Sequence, residues 1–470
     1  MNTIKLIFLV ILIMIGGSCS TAEDKQKSIN TEQKLTLDSL GQTIMDEGKI
    51  LGLSISIDSA GNNIYNGGFG YIDSERTKPV KLDSRFDIAS VSKLIGASII
   101  MKLIELEKLN LEQTINEVLP EFPNSEQARQ IKLRHLISHT SGLQDYALEV
   151  DSLFMETGIP PGKKEFLDFF HNKKLLFEPG SNYQYCNSGF MMMAFIAENA
   201  TGRKWQELID EFINEPTALD FQLIKQAYEL PQTSPIFNLK EGEFIKVPTW
   251  TYVIGDGGLT ATAYDLSKFP KHWKSGSVIN SISFKEMATP KTINEIMDTG
   301  YGFGVRNGEF LGEPILGHTG GWKSTYAIMC FFPKLDITFA GLMNTDGTTE
   351  NMSRIFALYM SKVLGKKIPD YKSYEVPLTE PTRFTGKYHG YGQEFDNTGS
   401  IITIDLKEDR LLYCVGGYCE PMYYLGENKF WIEDYPYDYI EFSLTKQGNI
   451  SALREYYYGF FQVLRIKIDN

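Results

Sequence analysis

The sequence predicts an α+β fold: an antiparallel sheet flanked by helices, plus a small C-terminal antiparallel β domain of barrel-like form. Three observations carry this expectation. Strand patterns lie at both ends of the larger N-terminal part, with helical and loop-rich patterns between them, so one sheet is expected to be assembled from both ends of that domain. A polar, proline-rich stretch, GKKIPDYKSYEVPLTEP, then reads as a boundary. Beyond it the chain changes to short aromatic strands separated by turns, and closing such a sheet hides its edges.

The elements follow in order. MNTIKLIFLVILIMIGGSCS carries an apolar run from Leu6 to Ile15, too short to span a bilayer comfortably and shaped like an export signal. Gly16, Gly17 and Ser18 before Cys19 resemble a bacterial lipoprotein signal. That resemblance implies a lipidated Cys19 that tethers the chain to a membrane, in the periplasm or at the outer membrane. A plain secretory signal cleaved nearby is the alternative. Residues 1–18 are thus expected to be a signal peptide and 19–36 a flexible tether. The main domain would run over 37–365, a linker over 366–381 and the C-terminal domain over 382–470.

Within the main domain, LDSLGQTIMDEG reads as an amphipathic helix, and LGLSISID and NNIYNGGFGYID as paired strands. A long helix is expected from Val91 to about Leu109, with Leu94, Met101, Ile104 and Leu109 on one side. Another buried helix starts at Ser188 and ends at Gly202, its Met191, Met192 and Met193 reading as packing. In YVIGDGGLTATAYDLSKF the glycines mark a tight turn, and Thr262 or Thr260 caps the helix that follows. Strands resume with YGFGV, GGWKSTYAIMCFFP and ITFAGLMN. The aromatic density after residue 373 reads as strand core, with exposed tyrosines able to bind sugar or peptide chains.

The 470 residues carry a formal net charge of -13 and no arginine-rich run, which argues against nucleic acid as a partner. Of five cysteines, Cys414 and Cys419 bracket VGGY. A two-residue turn at Gly416-Gly417 places them opposite each other, ready for a cross-strand disulfide in an oxidising compartment. Cys186 and Cys330 read as buried apolar residues, and no spacing gives a metal cluster. His135 and His139 are four apart, but a third ligand is lacking; hydrogen bonding of His139 and Ser141 within the loop is the expectation.

Three short stretches carry chemistry: Ser90-Val91-Ser92-Lys93, Tyr185-Cys186-Asn187 and His318-Thr319-Gly320. A serine hydroxyl needs a neighbour to take its proton, and a lysine one helical turn along is placed to do so. In this order the stretches, with IKLRHLISHTSGLQD, EPGSNYQYCNSGF and GDGGLTATAYDLSKF, resemble the serine β-lactamase and penicillin-binding-protein superfamily. The likeness is closest to its class C and carboxypeptidase or esterase branch and covers roughly Lys34 to Leu364.

The resemblance implies a serine hydrolase without cofactor or metal that forms an acyl-enzyme on Ser90, with Lys93 and Tyr185 as catalytic partners. Tyr185 would act either as proton relay to the leaving group or as base for the deacylating water. Asn187, His318, Thr319 and Gly320 would support the substrate, and the backbone N–H groups of Ser90 and Gly321 would form the oxyanion hole. His318 stands where the lactamases and transpeptidases carry lysine, so it reads as a weaker, pH-dependent carboxylate anchor, or else as a hydrogen-bonding surface histidine. The expected substrate is a small peptide, amide or ester. A weak β-lactamase and a non-catalytic penicillin-binding-like receptor are the alternatives.

Overall fold

Helix starts earlier than the polar composition before residue 37 suggests. In the computed structural model α1 spans Thr31–Asp46, and a capping box explains its start. Gln33 N donates to Asn30 Oδ1 at 2.8 Å and Asn30 N donates back to Gln33 Oε1 at 3.0 Å. The tether expected up to residue 36 therefore gives way to helix at Thr31. The structure describes residues 27–468, apart from 48, 228, 249–251, 295–296, 346–348, 371–375, 392–398, 433–438, 446 and 458. The export signal and Cys19 lie outside the described residues.

The main sheet is built from β1 (Gly52–Ser59), β2 (Asn62–Gly70), β3 (Arg306–Phe310), β4 (Glu313–Trp322), β5 (Thr325–Phe332) and β6 (Ile337–Met343). Its order is β3-β4-β5-β6-β1-β2, all antiparallel, so the two ends of the domain do meet in one sheet. Strand β1 is buried along its whole length, and its alternation says against what. Leu53, Ile55 and Ile57 join one apolar core, together with Leu37 of α1 and Phe356 and Tyr359 of the late helix at Thr349–Leu364. Ser54, Ser56 and Asp58 point to the opposite face. There the helix Ala263–Ser275 supplies matching polar groups: Ser267 Oγ lies 2.9 Å from Ser56 Oγ and Lys268 Nζ 2.5 Å from an Asp58 carboxylate oxygen. Thr262 is the residue that caps that helix, accepting from Asp265 N at 3.0 Å.

The second core lies on that face, around α2 (Ser92–Glu105) and α3 (Asn187–Thr201). Both are apolar nearly all round, as a helix enclosed on every side must be. Helix α2 stops at Glu105, four residues short of the Leu109 expected, because Leu106 already leaves helical geometry and Glu107 turns to φ 55°.

Eight further strands form the C-terminal barrel: β7 (Gly386–Gly390), β8 (Ser400–Lys407), β9 (Arg410–Val415), β10 (Tyr418–Gly426), β11 (Lys429–Ile432), β12 (Tyr439–Leu444), β13 (Ile450–Tyr457) and β14 (Phe460–Ile468). Each pairs with the next, and β7 pairs with β14 to close the ring. Phe384, Tyr388, Ile404, Phe430, Phe442 and Leu453 are among the residues of its core. Cys414 and Cys419 face each other across β9 and β10 with Cα atoms 4.1 Å apart and are joined as a disulfide. Gly416 and Gly417, both at positive φ, make the turn between them. The barrel is not a detached module: Phe460 on β14 pairs with Gly308 on β3, making the main sheet and the barrel hydrogen-bonded neighbours.

Two local expectations are corrected. YGFGV is a turn rather than a strand, closed by Gly302 N donating to Val305 O at 2.8 Å, and β3 begins one residue later at Arg306. His318-Thr319-Gly320 lies inside β4, not ahead of a strand. Among the described residues no helix is long and apolar enough to cross a membrane.

Candidate active site

Ser90 occupies a single 3-10 turn, Ala89–Val91, that runs directly into α2. The residue before it is strained: Ala89 has φ 44°, a region an alanine seldom adopts. The buried Asp87 holds that turn, accepting from Ala89 N at 2.8 Å, and burial pushes its carboxyl up to about 7. The result presents Ser90 at the head of a helix whose first N–H groups are free of intrahelical partners.

Strand β4 passes close beside this turn. At Gly320 a Cβ would lie 2.4 Å from Ile88 O and 3.1 Å from Ser90 N, so only glycine allows the approach. Pairing with β3 ends at Gly317, which leaves residues 318–322 of β4 without a strand on that side among the described residues. Gly321, the next residue, thus lies on a strand edge that closes on Ser90 at Gly320. Gly320→Ala is expected to push β4 off the Ser90 turn and to lower kcat by roughly 100-fold or more, comparable to losing one oxyanion donor. Steady-state hydrolysis by the folded variant checks it; a loss under threefold would refute this geometry.

Lys93 is fully buried and makes three hydrogen bonds. Its Nζ donates to Ser90 Oγ at 2.9 Å, Asn187 Oδ1 at 2.8 Å and the Asp256 carbonyl at 2.6 Å. Asn187, the first residue of α3, is fixed through its own backbone N, which donates to Asp145 Oδ2 at 2.6 Å. Asp256 sits in the glycine turn GDGG, and its Oδ2 accepts from Tyr146 OH at 2.8 Å. Burial pushes the Asp256 carboxyl up to about 7 and raises Asp145 as well. The sequence reading saw the glycines of this turn but not that its carbonyl would be a Lys93 ligand; no spacing in the chain announces it. It likewise missed Asp145, Tyr146, Tyr301 and Arg306.

Tyr185 lies in the extended segment ahead of α3, between two cations. Lys93 Nζ is 5.0 Å and Arg306 Cζ 4.8 Å from its ring centre. His139 packs against the same ring at 4.4 Å and accepts from Cys186 N through Nδ1 at 3.1 Å, which fixes the Tyr185-Cys186-Asn187 segment. Ser141 Oγ accepts from Leu143 N at 3.2 Å and so serves its own loop as expected, whereas the His139 side chain reaches out of the loop to Cys186. Among the described residues no group of three or more metal-ligating side chains occurs.

His318 departs from both sequence readings. It is fully buried, with both ring nitrogens used. Nδ1 donates to Thr319 O at 2.5 Å, leaving Nε2 to accept from Tyr301 OH at 3.1 Å. Burial first, then the charges of Arg306 and Lys93, hold it well below the usual histidine range. A surface position and a titrating anchor for a substrate carboxylate are both excluded by this packing: His318 is a neutral brace between Tyr301 and β4.

The geometry brings Ser90, Lys93, Tyr185, Asn187, His318, Thr319, Gly320 and Gly321 to one place where α2, α3 and β4 converge. The family model described as Beta-lactamase matches residues 37–361. The chain is similar to penicillin-binding protein 4* of Bacillus subtilis (strain 168), 25% identical over 418 residues that cover 84% of this chain and 88% of that one. It is 27% identical over 286 residues to a D-aminopeptidase of Brucella anthropi, spanning 57% of this chain and about half, 52%, of that relative. Among solved structures, the octameric penicillin-binding protein homologue from Pyrococcus abyssi superposes with a TM-score of 0.64 at 23% identity, covering 91% of this chain and 99% of that one. A D-amino acid amidase from Ochrobactrum anthropi gives 0.61 at 19%, covering 71% and 98%; these two likenesses show the fold. With the family model across most of its length and this fold beneath it, the chain belongs to the beta-lactamase family and is a serine hydrolase.

Proposed function

We propose that the protein hydrolyses amide or ester bonds of small peptide-like substrates, of the D-amino-acid class, through an acyl-enzyme on Ser90. The observation that carries this is the pairing of Ser90 Oγ with the fully buried Lys93 Nζ at 2.9 Å, beside a β4 edge that approaches Ser90 N. Ser90 Oγ attacks the substrate carbonyl and its proton passes to the Lys93 and Tyr185 pair. The negative oxygen is received by the N–H groups of Ser90 and Gly321. The C–N or C–O bond breaks, and the amine or alcohol leaves with that proton. Water then attacks the ester on Ser90 and gives up a proton to the same pair; the acyl C–Oγ bond breaks, the proton returns to Ser90 Oγ and the free acid leaves.

The substrate class is supported by the likeness to a D-aminopeptidase over part of the chain. The neutral, enclosed His318 also favours substrates that need no carboxylate anchor at that position, which disfavours penicillins. Paired D- and L-amino-acid p-nitroanilides and a chromogenic penicillin test this. Preferential release from the D-anilide is expected. Equal rates on both enantiomers would remove the stereochemical class, and faster opening of the penicillin would put the lactamase reading in its place.

A further inference from the structure

Arg306 opens β3 and pairs across with Gly317, the residue before His318. It is 2% exposed. Among the described residues no carboxylate faces it, and its Nε is buried without a partner. A guanidinium enclosed in this way is costly unless something fixes and uses its charge. What fixes it comes from the barrel: Arg306 Nη1 donates to the backbone carbonyl of Phe461 on β14 at 2.6 Å. The flat group then lies 4.8 Å from the ring centre of Tyr185 and 5.7 Å from that of Tyr301. Phe461 is itself wedged in place. Its ring packs on Tyr183 at 5.1 Å, and a Cβ on Gly300 would fall 2.4 Å from Phe461 Cγ.

We propose that the C-terminal barrel completes the catalytic site from beneath: the Phe461 carbonyl seats Arg306 against Tyr185, and Arg306 is a positioning residue giving that ring the fixed positive charge that His318 does not supply. The groups facing Tyr185 are consistent with this. Lys93 reaches it from α2, His139 from the loop before Ser141, and Arg306 and His318 from neighbouring strands. Tyr183 and Tyr301 lie around the same cluster, and the Asp145 and Asp256 carboxyls stand behind Asn187 and Lys93. Both histidines are kept neutral, by burial and by the charges of Lys93 and Arg306, so Arg306 and Lys93 are the cations at this ring. A proton passing through Tyr185 would leave negative charge between them.

The inference rests on Ser90 being the nucleophile and Tyr185 taking part in proton transfer, and the test separates the two. The rate of Ser90 labelling by a fluorophosphonate is measured against pH in the full chain, for the parent, Arg306→Gln, Arg306→Lys and Gly300→Ala. Arg306→Gln is expected to slow labelling near neutrality about tenfold and to move the acidic limb of the profile up by about one pH unit, the size of one partly screened charge a few ångströms away. Arg306→Lys is expected to keep the limb in place. Gly300→Ala crowds Phe461 and strains a backbone held at φ 72°, without touching the serine, and is expected to move the same limb, with no further movement when combined with Arg306→Gln. An unmoved limb in folded Arg306→Gln overturns the proposal, as does a multiplicative effect in the double variant. If Arg306→Gln does not fold, an unmoved limb in folded Gly300→Ala overturns it instead. A parent that is never labelled would sink the Ser90 reading rather than this one.

Discussion

Ser90→Ala is expected to abolish covalent labelling by a fluorophosphonate and to lower kcat on any substrate the parent turns over by roughly 10⁴-fold or more, because removing the nucleophile of an acyl-transfer site removes the covalent route altogether. The fold should survive. Ser90 is only partly buried, and the one side-chain bond shown for it, from Lys93 Nζ, leaves that ammonium two other acceptors in Asn187 and Asp256. Truncation therefore strands no buried charge, and the change in stability should stay within about 1 kcal/mol. Intact mass after labelling, turnover of a chromogenic ester and thermal unfolding are to be read on one preparation. Residual turnover equal to the parent's would take Ser90 out of the mechanism.

How much of this was legible in the chain depends on whether the determinant is local. Ser90 and Lys93 are one helical turn apart, so their meeting follows from helix geometry once the apolar run after them is recognised. Asn187 meets Lys93 across 94 positions, and only the resemblance of the ordered stretches placed it there. The Cys414–Cys419 bridge was readable for a local reason too, since two glycines between strands fix the register.

His318 was misread because its residue type suggests titration, whereas its behaviour is set by Tyr301, Arg306 and full burial, none of which sequence spacing encodes. Arg306 was invisible for the same reason: an arginine after YGFGV has no periodic signal, and its partner carbonyl lies 155 residues away in the barrel. The early start of α1 could have been found, because Asn30 and Gln33 are three apart in capping-box order.

Lys93→Met should produce the second largest loss, roughly 10³-fold or more in kcat, with a stability change much smaller than the activity change suggests. Two opposing terms set that stability. Removing the ammonium leaves Asn187 Oδ1 and the Asp256 carbonyl without their buried donor, which costs about 1–3 kcal/mol for each group left unsatisfied. It also ends the burial of a charge at full enclosure among Tyr185, Phe190 and the glycine turn, a term of several kcal/mol in the opposite sense. Methionine is nearly the length of lysine and refills the space, so no large cavity adds to the balance. The net change is expected within about 2 kcal/mol of zero, and of either sign. Catalysis enjoys no such compensation, since a thioether neither hydrogen-bonds Ser90 Oγ nor supplies the positive charge that favours passage of the serine proton to Tyr185, and the hydroxyl is left as poor a nucleophile as any free serine. Thermal unfolding beside the rate of Ser90 labelling separates the two effects. A variant that unfolds at nearly the parent's temperature yet labels at least a hundredfold more slowly would tie Lys93 to proton transfer. One that labels within tenfold of the parent would mean that the serine is activated from elsewhere, and Tyr185 would be the group to examine.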